Sequence, residues 1–108
     1  MNNHAILFRV AKITPTKVGQ FVTIWKRNQA GITAPHDLAD NIDFFVISVR
    51  NGERLGQFVF PTKILAEKDI VSKNDSGGKR GVRVYPAWDV ADNPQAKMTQ
   101  AWQLAYFF

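Results

Sequence analysis

Thr14-Pro15-Thr16-Lys17-Val18-Gly19-Gln20-Phe21-Val22-Thr23-Ile24-Trp25-Lys26-Arg27 is the stretch on which the reading of this fold turns. Thr14 followed by Pro15 has the form of a helix start, a capping hydroxyl and then a proline whose missing N–H is harmless in a first turn. Val18, Phe21, Val22 and Trp25 fall at i, i+3, i+4 and i+7, which makes one apolar stripe. The segment is expected to form a single helix with that stripe, Trp25 included, in the core. Thr16, Gln20, Thr23 and Arg27 would then take the solvated side. Lys17 falls in the first turn, where a cation opposes the helix dipole, so its position points to a role other than stability. Lys26 and Arg27 fall in the last turn, where they complement the dipole.

Upstream, Ala5 to Ile13 reads as an interior strand, with Ile6, Phe8 and Val10 alternating against Leu7, Arg9 and Ala11. Downstream, a polar connection from Asn28 to Asn41 leads to a strand over Ile42 to Val49. Asn51-Gly52 signals a hairpin, and the return strand runs from Leu55 to Phe60 before Pro61. Thr62 to Lys68 is expected as a short helix with Ile64 and Leu65 inward. Ser72 to Gly81 is a polar loop, and Val82 to Pro86 is a fourth strand. Asn93-Pro94 repeats the cap-plus-proline pattern and opens a last helix reaching Phe108, with Met98, Trp102 and Ala105 on one face and Gln95, Thr99 and Gln103 solvated. The expected order is β-α-β-β-α-β-α, a single α/β (α+β) domain over residues 1–108 with a central mixed sheet.

Composition narrows the chemistry. The 108 residues include no cysteine, which removes disulfides, thiolate metal sites and cysteine nucleophiles. No apolar run is long enough to cross a membrane, and Met1-Asn2-Asn3-His4 lacks the basic and apolar regions of a signal peptide, so a cytoplasmic protein with no membrane partner is expected. The net charge of +5 is uneven: residues 1–30 carry +5, residues 31–60 carry −2, residues 61–88 carry +3 and the remainder −1. Two basic blocks separated by an acidic stretch favour a polyanionic partner.

Phe8-Arg9-Val10-Ala11-Lys12, Thr14 to Lys17, Gly19 to Thr23 and Trp25-Lys26-Arg27 together resemble the MepB family of bacterial proteins. Gly56-Gln57-Phe58-Val59-Phe60-Pro61, Gly78-Lys79-Arg80-Gly81, Arg83-Val84-Tyr85-Pro86 and the closing segment with Gln100, Trp102 and Phe108 extend the resemblance over nearly the whole chain. It implies a fold similar to a restriction-endonuclease-like core and a nucleic-acid-binding role. It also implies relatives with a further strand before Ala5, so that this shortened member would leave the Ala5–Ile13 edge open to a homodimer contact.

Residue by residue, the expected surface for phosphates comprises Lys17, Lys26, Arg27, Lys79, Arg80 and Arg83, with Tyr85 and Trp88 as stacking or groove-wall candidates. Gly77 and Gly78 would expose backbone N–H groups to an anion. DNA ranks ahead of RNA, and neither a metal nor a cofactor is expected: His4 and His36 lack a ligand pattern, and Lys79 is not part of a phosphate loop. An endonuclease core needs two carboxylates on adjacent strands and a lysine. Asp43, Gln57 and Val59 occupy those positions, so the second carboxylate and the lysine are both missing. The leading expectation is thus a non-catalytic nucleic-acid-binding protein. Its alternatives are a protein-interaction or small-ligand module and, third, a divergent metal-dependent nuclease.

Overall fold

A computed structural model describes residues 3–108; Met1 and Asn2, part of the leader-free terminus expected above, lie outside the described residues. Along the chain come β1 (Ile6–Val10), β2 (Lys12–Ile13), β3 (Gln20–Thr23), β4 (Trp25–Arg27) and β5 (Thr33–Pro35). A 3₁₀ turn at Leu38–Asp40 precedes β6 (Phe44–Asn51), β7 (Arg54–Pro61), α1 (Thr62–Glu67), β8 (Gly81–Val84) and α2 (Pro94–Gln103). The mixed class with a central sheet is as expected. The first helix is not: Thr14 to Arg27 forms a bend followed by two strands.

The reason is a competing period. Gln20, Val22 and Ile24 are 1–2% exposed while Phe21 and Thr23 face outward, a strict alternation that the i, i+3, i+4 pattern had masked. Val22, Thr23 and Ile24 are β-branched, and Gly19 adopts φ 87°, a conformation no helix interior contains. Gln20, expected on a solvated face, is buried and donates to the Arg50 carbonyl at 3.0 Å. Trp25 is only half-buried and lies beneath the Arg27 guanidinium, 5.3 Å from its ring centre.

Three sheets build the described residues. β1 pairs parallel with β6, and β6 pairs antiparallel with β7 through the two-residue turn after Asn51, where Gly52 takes φ 63°. β3 lies antiparallel between β2 and β8, while β4 pairs with β5. The inner faces of β6 and β7 supply Phe45, Ile47, Val49, Phe58 and Phe60, which meet Val22, Ile24 and Val84 from the second ladder and Leu65 from α1. The Ala5–Ile13 segment is split at buried Ala11, and β1 is an edge strand, not an interior one. The edge of β7 is closed by the last residue, since the Gln57 N–H and C=O bond the Phe108 backbone at 2.9 and 2.8 Å.

α2 starts where expected, with the Asn93 side chain accepting from the Ala96 N–H at 2.8 Å, but ends at Gln103 in place of Phe108. Its inward face is Ala96, Gln100 and Gln103 with Trp102, which packs on the core beside Phe60 as expected, whereas Met98 is 73% exposed. Gln103, expected in solvent, is fully buried: its Oε1 accepts from the Tyr85 N–H at 2.9 Å and its Nε2 donates to the Arg83 carbonyl at 3.0 Å. It acts as a substitute strand along β8. Replacing it with methionine, similar in volume, leaves two buried backbone groups unpaired. Gln103→Met is expected to lower unfolding free energy by about 2–4 kcal/mol in urea titrations, with Met98→Ala close to neutral.

A second polar cluster ties the turn after β5 to the loop after α1. Asp37 accepts from the Ser72 hydroxyl at 2.6 Å and from the Ala39 and Asp75 N–H groups at 2.9 Å, and these bonds hold its carboxyl at about 2. His36 packs edge-on to Phe45, and burial pushes its pKa below 6.5, with Arg9 and Lys26 adding to that and Asp40 opposing it. The folded state therefore favours neutral His36 and ionised Asp37. The histidine contribution is complete above the unfolded value of 6.5 and is lost as pH falls below it. The aspartate contribution is lost lower, between the ordinary carboxylate value and about 2. Urea midpoints are expected to fall between about pH 7.5 and 5.5, and His36→Leu to flatten that interval while leaving the acid limb.

Candidate nucleic-acid interface

The side of β3 and β8 away from the core forms the floor of a cleft of about 500 Å³. Alternation decides what lies there. Phe21 stands opposite Arg83 and also opposite Lys12, so these three side chains form a row across one face, with Tyr85 following on the same side of β8. The segment Thr16–Val18 makes one wall. The N-terminal end of α2, with Asn93, Gln95 and Thr99, makes the other.

Arg83 sets the first wall. Its Nη1 donates to the Thr14 hydroxyl at 2.9 Å and to the Gly19 and Val18 carbonyls at 3.3 and 3.4 Å, which pins the bend that carries Lys17. Gly19 is needed there because a β-carbon would come within 2.8 Å of the Tyr85 ring. The second wall is fixed through Gln100, whose Nε2 donates to the Pro86 and Asp89 carbonyls at 3.0 and 2.9 Å. The amide-rich end of the helix adds partial positive charge to the cleft. Asp92, exposed at the rim, is the acid in the lining.

Lys17, Lys79, Arg83 and Tyr85 thus share one cleft. The expectation for Lys17 rested on a helix dipole that does not exist; its place comes from the loop held by Arg83. The remaining candidates are used elsewhere. The Nε and Nη2 of Arg80 bond the Thr33 carbonyl at 3.2 and 3.0 Å and tie β5 down. The Nζ of Lys26 contacts both Asp40 oxygens at 2.6 and 2.7 Å, and Arg27 donates to the Gly31 carbonyl at 3.0 Å while covering Trp25. Lys26 and Arg27 line a different cavity of about 750 Å³, which shares no residue with the first. Trp88 packs against Phe107 in the partly buried shell of the core.

The glycine loop also differs from expectation. Gly77 and Gly78 adopt φ 77° and 86°, but the Gly78 N–H already binds the Asp69 carboxylate at 3.1 Å. The anion in that loop is internal. Phe21 and Lys12 were missed as surface residues because both were read within other elements; the outward phase of the Gln20, Val22, Ile24 alternation would have identified Phe21, and Lys12 follows only from its pairing with Phe21.

The nuclease alternative meets a geometric obstacle. The register places Gln57 opposite Ser48, five positions along β6 from Asp43, so the two side chains are separated by roughly 16 Å. The Asp43 carboxylate instead accepts from the Ala5 N–H at 2.8 Å. Among the described residues no group of three acidic or histidine side chains is placed to hold a metal, and no helix is long and apolar enough to cross a membrane.

No curated protein matches the chain. A solved structure described as the crystal structure of MepB is similar over 100% of this chain and 72% of that one, with a TM-score of 0.95 and 37% sequence identity. The model of the MepB-like family matches residues 1–108, a span that takes in the strands, cleft and clamping helix described above, and the chain belongs to the MepB-like family.

Proposed function

We propose that the protein binds nucleic acid, DNA ahead of RNA, without catalysing a reaction on it, and that the cleft over β3 and β8 is where phosphates are held. The observation that carries this reading is the convergence of Lys17 with Lys79 and Arg83 beside Tyr85, from two separate parts of the chain. Among the described residues neither the Lys17 nor the Lys79 side chain has a hydrogen-bonded or ionic partner, so both ammonium groups are available. Phosphate contacts of this kind supply affinity through counterion release, with little information about sequence.

Binding of a labelled DNA oligonucleotide to the whole chain is expected to weaken steeply between low and moderate salt. Lys17→Ala with Lys79→Ala should lower affinity roughly tenfold or more and reduce the salt slope by about two. Lys26→Ala should change affinity little, because its charge is engaged by Asp40. Equal affinity for the double variant and the parent would overturn the cleft as the site.

A separate feature favours association between copies, and we propose that β1 forms a homodimer contact. The N–H and C=O groups of Ile6, Phe8 and Val10 point away from β6, as the bonds made by Ala5 and Ala11 on the β6 side require. Their side chains are 44, 55 and 62% exposed and share a sheet face with Leu55, 65% exposed. Antiparallel pairing of two β1 strands about Phe8 would join like surfaces by a two-fold axis. Together these side chains offer on the order of 400 Å², below the half-interface of a standard complex, so a weak dimer is expected. Sedimentation from about 10 μM to about 1 mM should show the mass rising from one chain toward two, and Phe8→Lys should hold it at one. A single-chain mass throughout would sink the proposal.

A further inference from the structure

We infer that the cleft is built for unpaired nucleotides, with Phe21 as the platform on which a base stacks; this rests on the nucleic-acid reading above and narrows its ligand to single strands. Phe21 is 41% exposed although it sits in the middle of a three-stranded ladder, where its neighbours Gln20 and Val22 are almost completely buried. Nothing in the core requires a large aromatic ring there. The ring lies over Gly81, where any β-carbon would collide with it, and Arg83 stands 6.0 Å from its centre. The glycine makes room for the tip of the ring, whose Cζ is the atom nearest to it, and the exposed part of the ring borders the cleft.

The charges are arranged around that ring. Lys12 is its direct neighbour on β2 and Arg83 its neighbour on β8, while Lys17 and Lys79 come from the loops beyond. An aromatic face flanked by cations suits a base with phosphates on either side of it, because every unpaired base presents a π-face while the backbone follows the positive groups. A duplex keeps its base faces stacked inside, so it could reach the lysines but not cover Phe21. A volume of about 500 Å³ walled by α2 and the Thr16–Val18 segment is also of small-ligand size, enough for one or two nucleotides and too confined for a double helix.

The test uses the full chain with a labelled oligothymidine and a duplex of equal length, at two salt concentrations. A base–aromatic stack contributes enough that Phe21→Ala is expected to weaken single-strand binding about tenfold, with duplex binding changed less than about twofold and Phe21→Trp restoring the single-strand affinity. A thermal melt of Phe21→Ala close to that of the parent shows that the sheet is intact. A 2-aminopurine base within the oligonucleotide should change fluorescence on binding to the parent and not to Phe21→Ala. Duplex bound as tightly as single strand, or equal weakening of both by Phe21→Ala, overturns this inference while leaving the phosphate-binding reading standing. No binding of either nucleic acid by the parent overturns both.

Discussion

The carboxamide of Gln103 is the interaction on which the rest of the architecture depends. β8 has β3 on one side, and its other edge lies against α2 beside the fully buried Val84 and Gln103. Backbone groups buried at such an edge cost free energy unless they are paired, and among the described residues no further strand pairs them. Gln103 supplies one donor and one acceptor at strand spacing, to the Arg83 carbonyl and the Tyr85 N–H. Gln100 continues the same work one turn earlier, with bonds to Pro86 and Asp89. The helix supplies apolar contact through Ala96 and Trp102, whose ring centre lies 5.5 Å from that of Phe60, and its amides fix the pairing with β8.

From that clamp the cleft follows. Once β8 is fixed, β3 is registered by the pairing of Phe21 with Arg83, and Arg83 in turn pins the Thr14–Gly19 bend through three acceptors. The N-terminal end of α2 reaches the opposite side because the same helix carries both glutamines. Floor and walls therefore share one connected set of bonds. A change at Gln103 would disturb Lys17 through three successive contacts, although the two are far apart in the chain.

Much of the fold was legible because its signals were local. Asn51-Gly52 marked the β6–β7 hairpin, Pro61 ended β7, and Asn93-Pro94 opened α2. Thr14–Arg27 was misread because Val18, Phe21, Val22 and Trp25 satisfy a helical period while Gln20, Val22 and Ile24 satisfy a strand period, and the polar identity of Gln20 hid the buried row. Gly19 and three consecutive β-branched residues were the signals that should have decided it. Lys79 and Arg80 were read as a pair, but Lys79 lines the cleft and Arg80 turns to Thr33. Which cation meets Lys17 depends on pairings between distant segments, and no pattern within a single segment carries that information.

The division between arginine and lysine has a physical logic. Arg80 and Arg83 each make three bonds to the protein, using planar guanidinium groups whose several donors match carbonyls and hydroxyls at fixed positions. Lys17 and Lys79 end in compact, mobile ammonium groups that suit phosphates arriving at varied positions along a flexible strand. Lys26 shows the contrary case, where two oxygens of Asp40 hold an ammonium and remove it from the available charge. The formal charge of +5 therefore overstates uniformity. What matters for an incoming polyanion is the subset left unpaired beside Phe21, and that subset is selected by the arginines that stitch the loops in place.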